Sequence, residues 1–548
     1  MRFLAFILIL VLAIPAQANE NLMFGRAIRG AWGGTVAVGS CPYGASDPCT
    51  NFTVNSVTFT PPTNGSFNVS TLVLNAGASN FAQYATSKTY GVGSNQTWAA
   101  SHPWTTFNEP AIDYNIGYST SVALKDPTNS ANLPSGCSYS ATGANSSGRA
   151  TWPAVTCSST SNLTVSGLDF SSNNPSGCVT LVLLPNVTGT VTVTNNHFSS
   201  CTAMAGMEID ASMDGVNDVL TVADVRHQST SQFPSGITDG TTIYLNDYTY
   251  ATLGTVSIGH GVLCSGVACT GSGGTGTYAI TPASHWSGQT VSNQRMAVGD
   301  TGNSLILMQA AASNIYVYNN VFEGYGEPTN TQCNGYPCLA TAYNESQTTS
   351  SGYRVFAYNA VVNMSKRPMY SNHFGNATPA YRYITANYFS GIVISPYGDH
   401  GEILEEESTG VSGSATVALQ TYNYNVLLTP NYTGGSTSIL YLSDGFHWTF
   451  PTTPSLVWTS MLIDHNLIIG NQFSTGGTIN SALIRGDGNE APNVTFTNNY
   501  LDQTGVVNGC IEVDQYQPTT VTQSGNVSLL SGNSANIYPT TATTASCP

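Results

Sequence analysis

The stretch Ile315-Tyr-Val-Tyr-Asn319-Asn320-Val-Phe322 decides the architecture. A short run of β-branched and aromatic residues closes on asparagine, and an apolar residue follows at once. The pattern returns as Val191-Thr-Val-Thr-Asn195-Asn196-His-Phe198, Val355-Phe-Ala-Tyr-Asn359, Ile384-Thr-Ala-Asn387-Tyr-Phe389, Tyr424-Asn425-Val426, Ile463-Asp-His-Asn466-Leu467 and Val494-Thr-Phe-Thr-Asn498-Asn499-Tyr-Leu501. From Asn320 the closing asparagines, at 359, 387, 425, 466 and 499, stand 39, 28, 38, 41 and 33 residues apart. That period fits one coil of a solenoid plus a loop, in which each coil covers its apolar side chains only by stacking on its neighbours. Asparagine tolerates left-handed backbone at a tight bend, and its amide can bond to the asparagine above and below, so a ladder along the stack is expected. Glycine and β-branched residues interrupt every helical period.

After each turn and a variable loop comes a second strand: Met207–Asp210, Leu339–Glu345, Pro368–His373, Gly401–Glu405, Ser438–Asp444, Ser481–Asp487 and Gly509–Asp514. These seven are expected to be neighbours in one sheet. Alternation puts Ile209, Ile484, Ile511 and Val513 inward, and Glu208, Asp210, Arg485, Asp487, Glu512 and Asp514 outward. Within the run Asp399–Glu407, Ile403 taken as inward sends Leu404 outward and Glu405 inward unless a bulge intervenes.

The beginning of the chain gives an address. Met1-Arg2, the apolar run Phe3–Pro15 and Ala16-Gln17-Ala18 read as a signal peptide over 1–18, which implies a secreted or periplasmic protein. No later run approaches the roughly 18 to 20 apolar residues of a membrane span, so membrane insertion is not expected. The charge of −16 rests on only 13 basic residues, three of them lysines, so nucleic acid is a poor partner. Twelve cysteines fall into close pairs, 41/49, 137/157, 178/201, 264/269, 333/338 and 510/547, read as six disulfides. Neither CxxC nor a paired histidine motif points to structural zinc.

The Asn-turn coils resemble the pectate-lyase-like right-handed β-helix superfamily, which includes polygalacturonase-type hydrolases and phage tailspikes. Asp113-Tyr-Asn-Ile-Gly-Tyr118 with Leu124-Lys-Asp-Pro127, Gly167-Leu-Asp-Phe170 and His400-Gly-Glu-Ile-Leu-Glu405 resemble segments of bacterial and phage-associated β-helix proteins. There the last segment reads H-x-D-x-x-Q, and Glu402 and Glu405 depart from it. The expected fold is all-β: a right-handed parallel β-helix solenoid with an N-terminal β cap and an inserted small β domain. The expected boundaries are the signal peptide at 1–18, the cap at 19–160 and the first coils at 161–210. The insertion follows at 211–297, the main coils at 298–530 and a tail stapled by Cys547 at 531–548. This fold hosts lyases, hydrolases, esterases, epimerases and binding proteins, so function must come from a site.

No G-x-S-x-G, H-E-x-x-H or Walker A motif occurs. Gly271-Ser-Gly-Gly-Thr-Gly276 matches G-x-G-x-x-G but opens into the strand-like Thr277-Tyr-Ala-Ile280 instead of a helix. The candidate site is Asp399-His400-Gly-Glu402-Ile-Leu-Glu405-Glu406-Glu407, five carboxylates and an imidazole in nine residues of a chain only 8% charged. Glycoside hydrolysis needs one carboxylic acid and one carboxylate, about 5 to 5.5 Å apart for retention or about 6.5 to 9.5 Å for inversion. The expected pair comes from Asp399, Glu402, Glu405 and Asp444, with His400 orienting or relaying a proton. Tyr370, His373, Lys366, Arg367, Arg382, Arg485 and Asp487 are expected to bind a polysaccharide substrate. No cofactor is required. The alternative lyase would use calcium held by Asp399, Glu402 and Glu405, with Lys366, Arg367 or Arg382 as base, but the shortage of lysine and arginine disfavours an acidic polymer. A non-catalytic glycan-binding, adhesive or structural surface protein is the remaining reading. Glu406 and Glu407 also read as a solvated turn, and His197 and His465 as structural residues beside the turns.

Overall fold

The computed structural model describes residues 51–68, 89–90, 96–97, 115–141, 153–171, 179–199, 206–225, 240, 242–245, 248–254, 276–284, 286–299, 303–324, 340–347, 352–362, 368–373, 380–390, 404–408, 416–428, 440–443, 457–458, 460–469, 484–487, 493–502, 511–513 and 520–528. The chain divides into two units at Thr60. In the first, Phe52–Val54 and Val57–Phe59 form a hairpin whose end residues stack their rings 5.1 Å apart. The signal peptide, and every expected cysteine pair except 137/157, lie wholly or partly outside the described residues.

The second unit is all-β and is built on three long sheets, parallel but for one edge strand, an arrangement compatible with a β-solenoid. Each coil supplies one strand to each sheet in chain order: Ala340–Gln347 to sheet 1, Gly352–Ala357 to sheet 2 and Ala360–Val362 to sheet 3, then Met369–His373, Ala380–Thr385 and Tyr388–Ser390, and so on. Sheets 1 and 2 have ten strands and sheet 3 has nine. Inward residues of all three form one core, running from Val155, Leu181 and Phe198 to Ile463 and Phe496. Inside it Phe170, Phe198 and Phe322 stack at 4.6 and 5.1 Å between ring centres, because in-register parallel strands place like residues above one another.

Sheet 2 passes to sheet 3 at the asparagines. Asn196, Asn320, Asn359, Asn387, Asn425, Asn466, Asn499 and Asn526 form one ladder, each at most 2% exposed. The Asn320 backbone N–H and Nδ2 donate to Asn359 Oδ1 at 2.9 and 3.1 Å, and Asn359 repeats this to Asn387 at 3.0 and 3.1 Å. Nδ2 of each also donates to a carbonyl one coil back, as Asn359 does to Val317 O at 3.0 Å. The ladder is as expected, but the left-handed residue is the one before it: Asn195, Asn319, Tyr358, Ala386, Tyr424, His465 and Asn498 have φ between 52° and 57°. Left-handed backbone costs a non-glycine residue roughly 1–2 kcal/mol. Ala386 has no polar side chain to compensate, so the bonds of Asn387 hold that bend. Asn526, after Gly525, is a rung that the spacing of the earlier asparagines did not reveal.

Three boundaries differ from the sequence reading. Ala154–Cys157 already pairs in parallel with Thr180–Leu183, so the coils begin inside the expected cap. Cys137–Ser140 pairs antiparallel beyond it, and the Cys137–Cys157 disulfide fastens this edge, which would otherwise offer unpaired backbone groups. The segment Asn115–Ser119 reaches further along the stack: Gly117 N–H donates to Tyr358 O at 2.9 Å and Ser119 N–H to Asn195 Oδ1 at 3.1 Å.

Met207–Asp210 is the third difference. It lies in Gly206–Asp214, which pairs antiparallel with Val219–Val225 and Thr290–Gly299 instead of joining sheet 1. Thr242–Leu245, Tyr248–Leu253 and Gly276–Pro282 complete a cycle of six antiparallel pairings around Ala211, Met213, Leu220, Val222, Ile243 and Trp286. Gly276 opens a strand, as the reading of the glycine-rich run expects. The insertion sits between sheet 3 and sheet 1 without disturbing the stack, since Leu181 still pairs with Ile306 and Val191 with Ile315.

Asn359→Ala removes the acceptor of two Asn320 donors and the donor to Val317 O, all buried. At 1–3 kcal/mol for each unsatisfied group, the loss should be about 3 kcal/mol or more, read by denaturant unfolding. A loss under about 0.5 kcal/mol would contradict the ladder's role.

Candidate functional site

The acidic run enters sheet 1 as Leu404–Ser408. Leu404 is 1% exposed and stands in register with Met369, 4% exposed, and with Leu440, then Ile484 and Ile511 further along. This settles the phase of the strand: Leu404 is inward, contrary to the alternation counted from Ile403. Glu405 and Glu407 hold the opposite phase. The Glu405 row reads Tyr370, Glu405, Tyr441, Arg485, Glu512, and the Glu407 row reads Asn372, Glu407, Ser443, Asp487. Neighbouring members of a row are about 4.8 Å apart.

Asp399, His400, Glu402, Asp444, Lys366 and Arg367 lie outside the described residues. Glu405, His373, Arg485 and Asp487 lie on strands of sheet 1, as expected. Tyr370 shares the phase of Glu405 yet is only 2% exposed, so the face of sheet 1 is covered at that position, and Arg382 is 3% exposed in the interior; neither offers a surface to a polymer. For Arg382 the reason is strand phase. It stands two residues before core Ile384, as Arg354 stands two before core Phe356.

These arginines share a buried carboxylate that the sequence reading missed. Arg354 Nε lies 2.9 Å from Glu345 Oε1, and Arg382 Nη2 lies 3.2 Å from Glu345 Oε2, with all three side chains at most 5% exposed. Arg354 also donates to Ser313 O at 2.9 Å and Ala312 O at 3.2 Å, and the Tyr343 hydroxyl donates to Glu345 at 3.3 Å. Burial, and then the Glu345 charge, push the Tyr343 hydroxyl well above the ordinary tyrosine range. The space between these side chains is about 10 Å³, on the scale of one water. A sugar has no room there, so the cluster holds coils together. The inward phase of Arg354 and Arg382 was the available signal.

A second cluster lies on the outer side of sheet 3. His197 Nε2 is 2.9 Å from Glu323 Oε2 and its Nδ1 is 3.8 Å from Asp169 Oδ1, while the Tyr118 ring lies 5.7 Å from the imidazole. His465 bonds Asp464 at 2.8 Å and stacks on Tyr424 at 4.9 Å. Both histidines tie neighbouring elements together beside the turns, as expected. Among the described residues, no group of three or more histidines, cysteines or acids is placed to hold a metal ion, and no helix is long and apolar enough to cross a membrane.

No family model matches the chain, and no curated protein matches it in sequence. Functional inference therefore rests on residues and their placement.

Glu345→Ala leaves two buried guanidinium groups without the carboxylate they share. Removing one partner of a buried ion pair costs about 3–5 kcal/mol, and a loss of that order should appear in equilibrium unfolding. Unchanged stability would show that the cluster does not hold the coils.

Proposed function

We propose that the protein is an exported, carbohydrate-active right-handed parallel β-helix that binds a polysaccharide across sheet 1 and cleaves it by carboxylate-pair glycoside hydrolysis. The right hand follows from the general rule that parallel crossover connections are right-handed. Export is supported by the N-terminal apolar run and by the Cys137–Cys157 disulfide, a bond that persists in oxidising compartments.

The observation that carries the catalytic reading is the phase of the acidic strand. Leu404 is buried, and Glu405 and Glu407 stand at the two positions of the strand that alternate with it. Residues two apart on a strand have α-carbons about 6.6 Å apart, a spacing compatible with the roughly 6.5 to 9.5 Å between carboxyl groups that leaves room for a water between acid and base. The reading therefore favours inversion: one carboxylic acid protonates the leaving oxygen, and the other carboxylate activates water on the opposite face of the ring. Asp399, His400 and Glu402 precede the strand in the connection from sheet 3, and Asp444 follows Ser443, the register partner of Glu407. Arg485 and Asp487 stand in the same two register rows, two coils on.

Glu405→Gln and Glu407→Gln should each lower the release of reducing ends from a cleaved glycan by about 10²- to 10⁴-fold, the usual weight of a general acid or base. Circular dichroism should be unchanged. Wild-type rates in both variants would sink the assignment of the pair.

A further inference from the structure

The interior beside Glu345 holds a pattern that the asparagine ladder does not explain. Two register rows meet there, one from each of the first two sheets. On sheet 1 the row reads Met308, Glu345, Ser371, Glu406, Leu442. On sheet 2 it reads Ile315, Arg354, Arg382, Gln420, Met461. Taken coil by coil, the two ends are apolar, Met308 with Ile315 and Leu442 with Met461. The three coils between them carry Glu345 with Arg354, Ser371 with Arg382, and Glu406 with Gln420.

Glu345, Arg354, Ser371, Arg382 and Gln420 are each at most 4% exposed. Up to the coil of Ser371 and Arg382, two guanidinium groups share one carboxylate. Charges held out of water persist where opposite charges meet them, and the third coil brings a second acid to the sheet 1 row. Arg382 occupies the middle coil. It reaches back one coil to Glu345, with Nη2 3.2 Å from Oε2, and Glu406 stands one coil to the other side, about 4.8 Å on. The two acids are kept two coils apart by Ser371, whose Oγ lies 3.5 Å from Glu345 Oε2. Glu406, which reads in the sequence as part of a solvated turn, is thus a strand position two residues after buried Leu404. The run of acids also poses a problem of register. Leu404 is the one apolar residue of Leu404–Ser408, the three glutamates are chemically alike, and a slip of one residue would exchange their faces. A buried ion pair is well suited to fix register where apolar pattern is thin.

We propose that Glu406 is the second carboxylate of this three-coil layer, the counter-charge that balances Arg382, and that this charge together with Leu404 fixes the phase of the acidic strand, leaving Glu405 and Glu407 at the alternate positions. The layer is then neutral, two arginines against two glutamates. Glu406 takes no part in bond cleavage, and the inference stands on register and charge alone, whether or not a glycan is cleaved.

Equilibrium denaturant unfolding of the full protein tests it, with single changes along the run and one charge-balancing pair. Glu406→Gln should lower the folding equilibrium constant by about 10²- to 10³-fold, the usual effect of breaking a buried ion pair. Glu405→Gln and Glu407→Gln should each change it by about 3-fold or less, as substitutions outside the core do. Arg382→Met should cost as much as Glu406→Gln. Joined in one chain, the two changes leave Glu345 and Arg354 as a balanced pair, and the double variant should recover about 10-fold or more of the summed loss. Where Glu406→Gln alone does not fold, the return of a cooperative transition in the double variant decides the same question. Glu406→Gln no more costly than its two neighbours, losses at 382 and 406 that simply add, or a double variant that recovers nothing would each overturn the inference. None of these readings uses glycan cleavage, so failure of the hydrolase and failure of the buried charge layer remain distinguishable.

Discussion

The buried asparagine ladder is the constraint on which the rest of the structure depends. A coil has no core of its own, and its tightest turn brings backbone N–H and C=O groups into the interior, where leaving them unpaired costs about 1–3 kcal/mol each. Each ladder asparagine from Asn320 to Asn499 takes two donors from the preceding coil on Oδ1 and gives Nδ2 to a carbonyl of that coil and to the next asparagine. The turn is therefore completed only by its neighbours. Stacking, strand register and the left-handed bends at Tyr358 and Ala386 all follow from that requirement.

Fixed register has consequences on both sides of each sheet. Inside, it aligns phenylalanines into a stack and brings Arg354 and Arg382 to one carboxylate, Glu345. Outside, it turns single residues into rows: Glu405 with Tyr441 and Arg485 on sheet 1, Tyr353 with Tyr381 on sheet 2. The corner between sheets 3 and 1, outside the asparagine ladder, accepts the six-stranded insertion.

The repeat was legible in the sequence because each coil writes the same short sentence, apolar strand, asparagine, apolar residue, and seven of the eight rungs could be read from it. Asn526 escaped because the strand before it, Thr520–Ser524, closes on Gln-Ser-Gly instead of running in apolar or β-branched residues up to the turn. Met207–Asp210 alternates just as sheet 1 strands do, and only its antiparallel partners Val225 and Met296 reveal that it belongs to the insertion. Phase was the harder property. Counting from Ile403 misplaced Leu404 by one residue, which is the whole difference between core and surface in a strand. Arg382, expected to bind substrate, stands two residues before Ile384, and that spacing already puts it in the inward phase.

Amide hydrogen exchange resolved to single residues tests the ladder most directly. The backbone N–H groups of Asn320, Asn359, Asn387, Asn425 and Asn466 should exchange as slowly as those of the strands beside them, opening only with global unfolding. Exchange of these turn amides at the rate of exposed loop amides would contradict a stack of parallel strands held together by its asparagines.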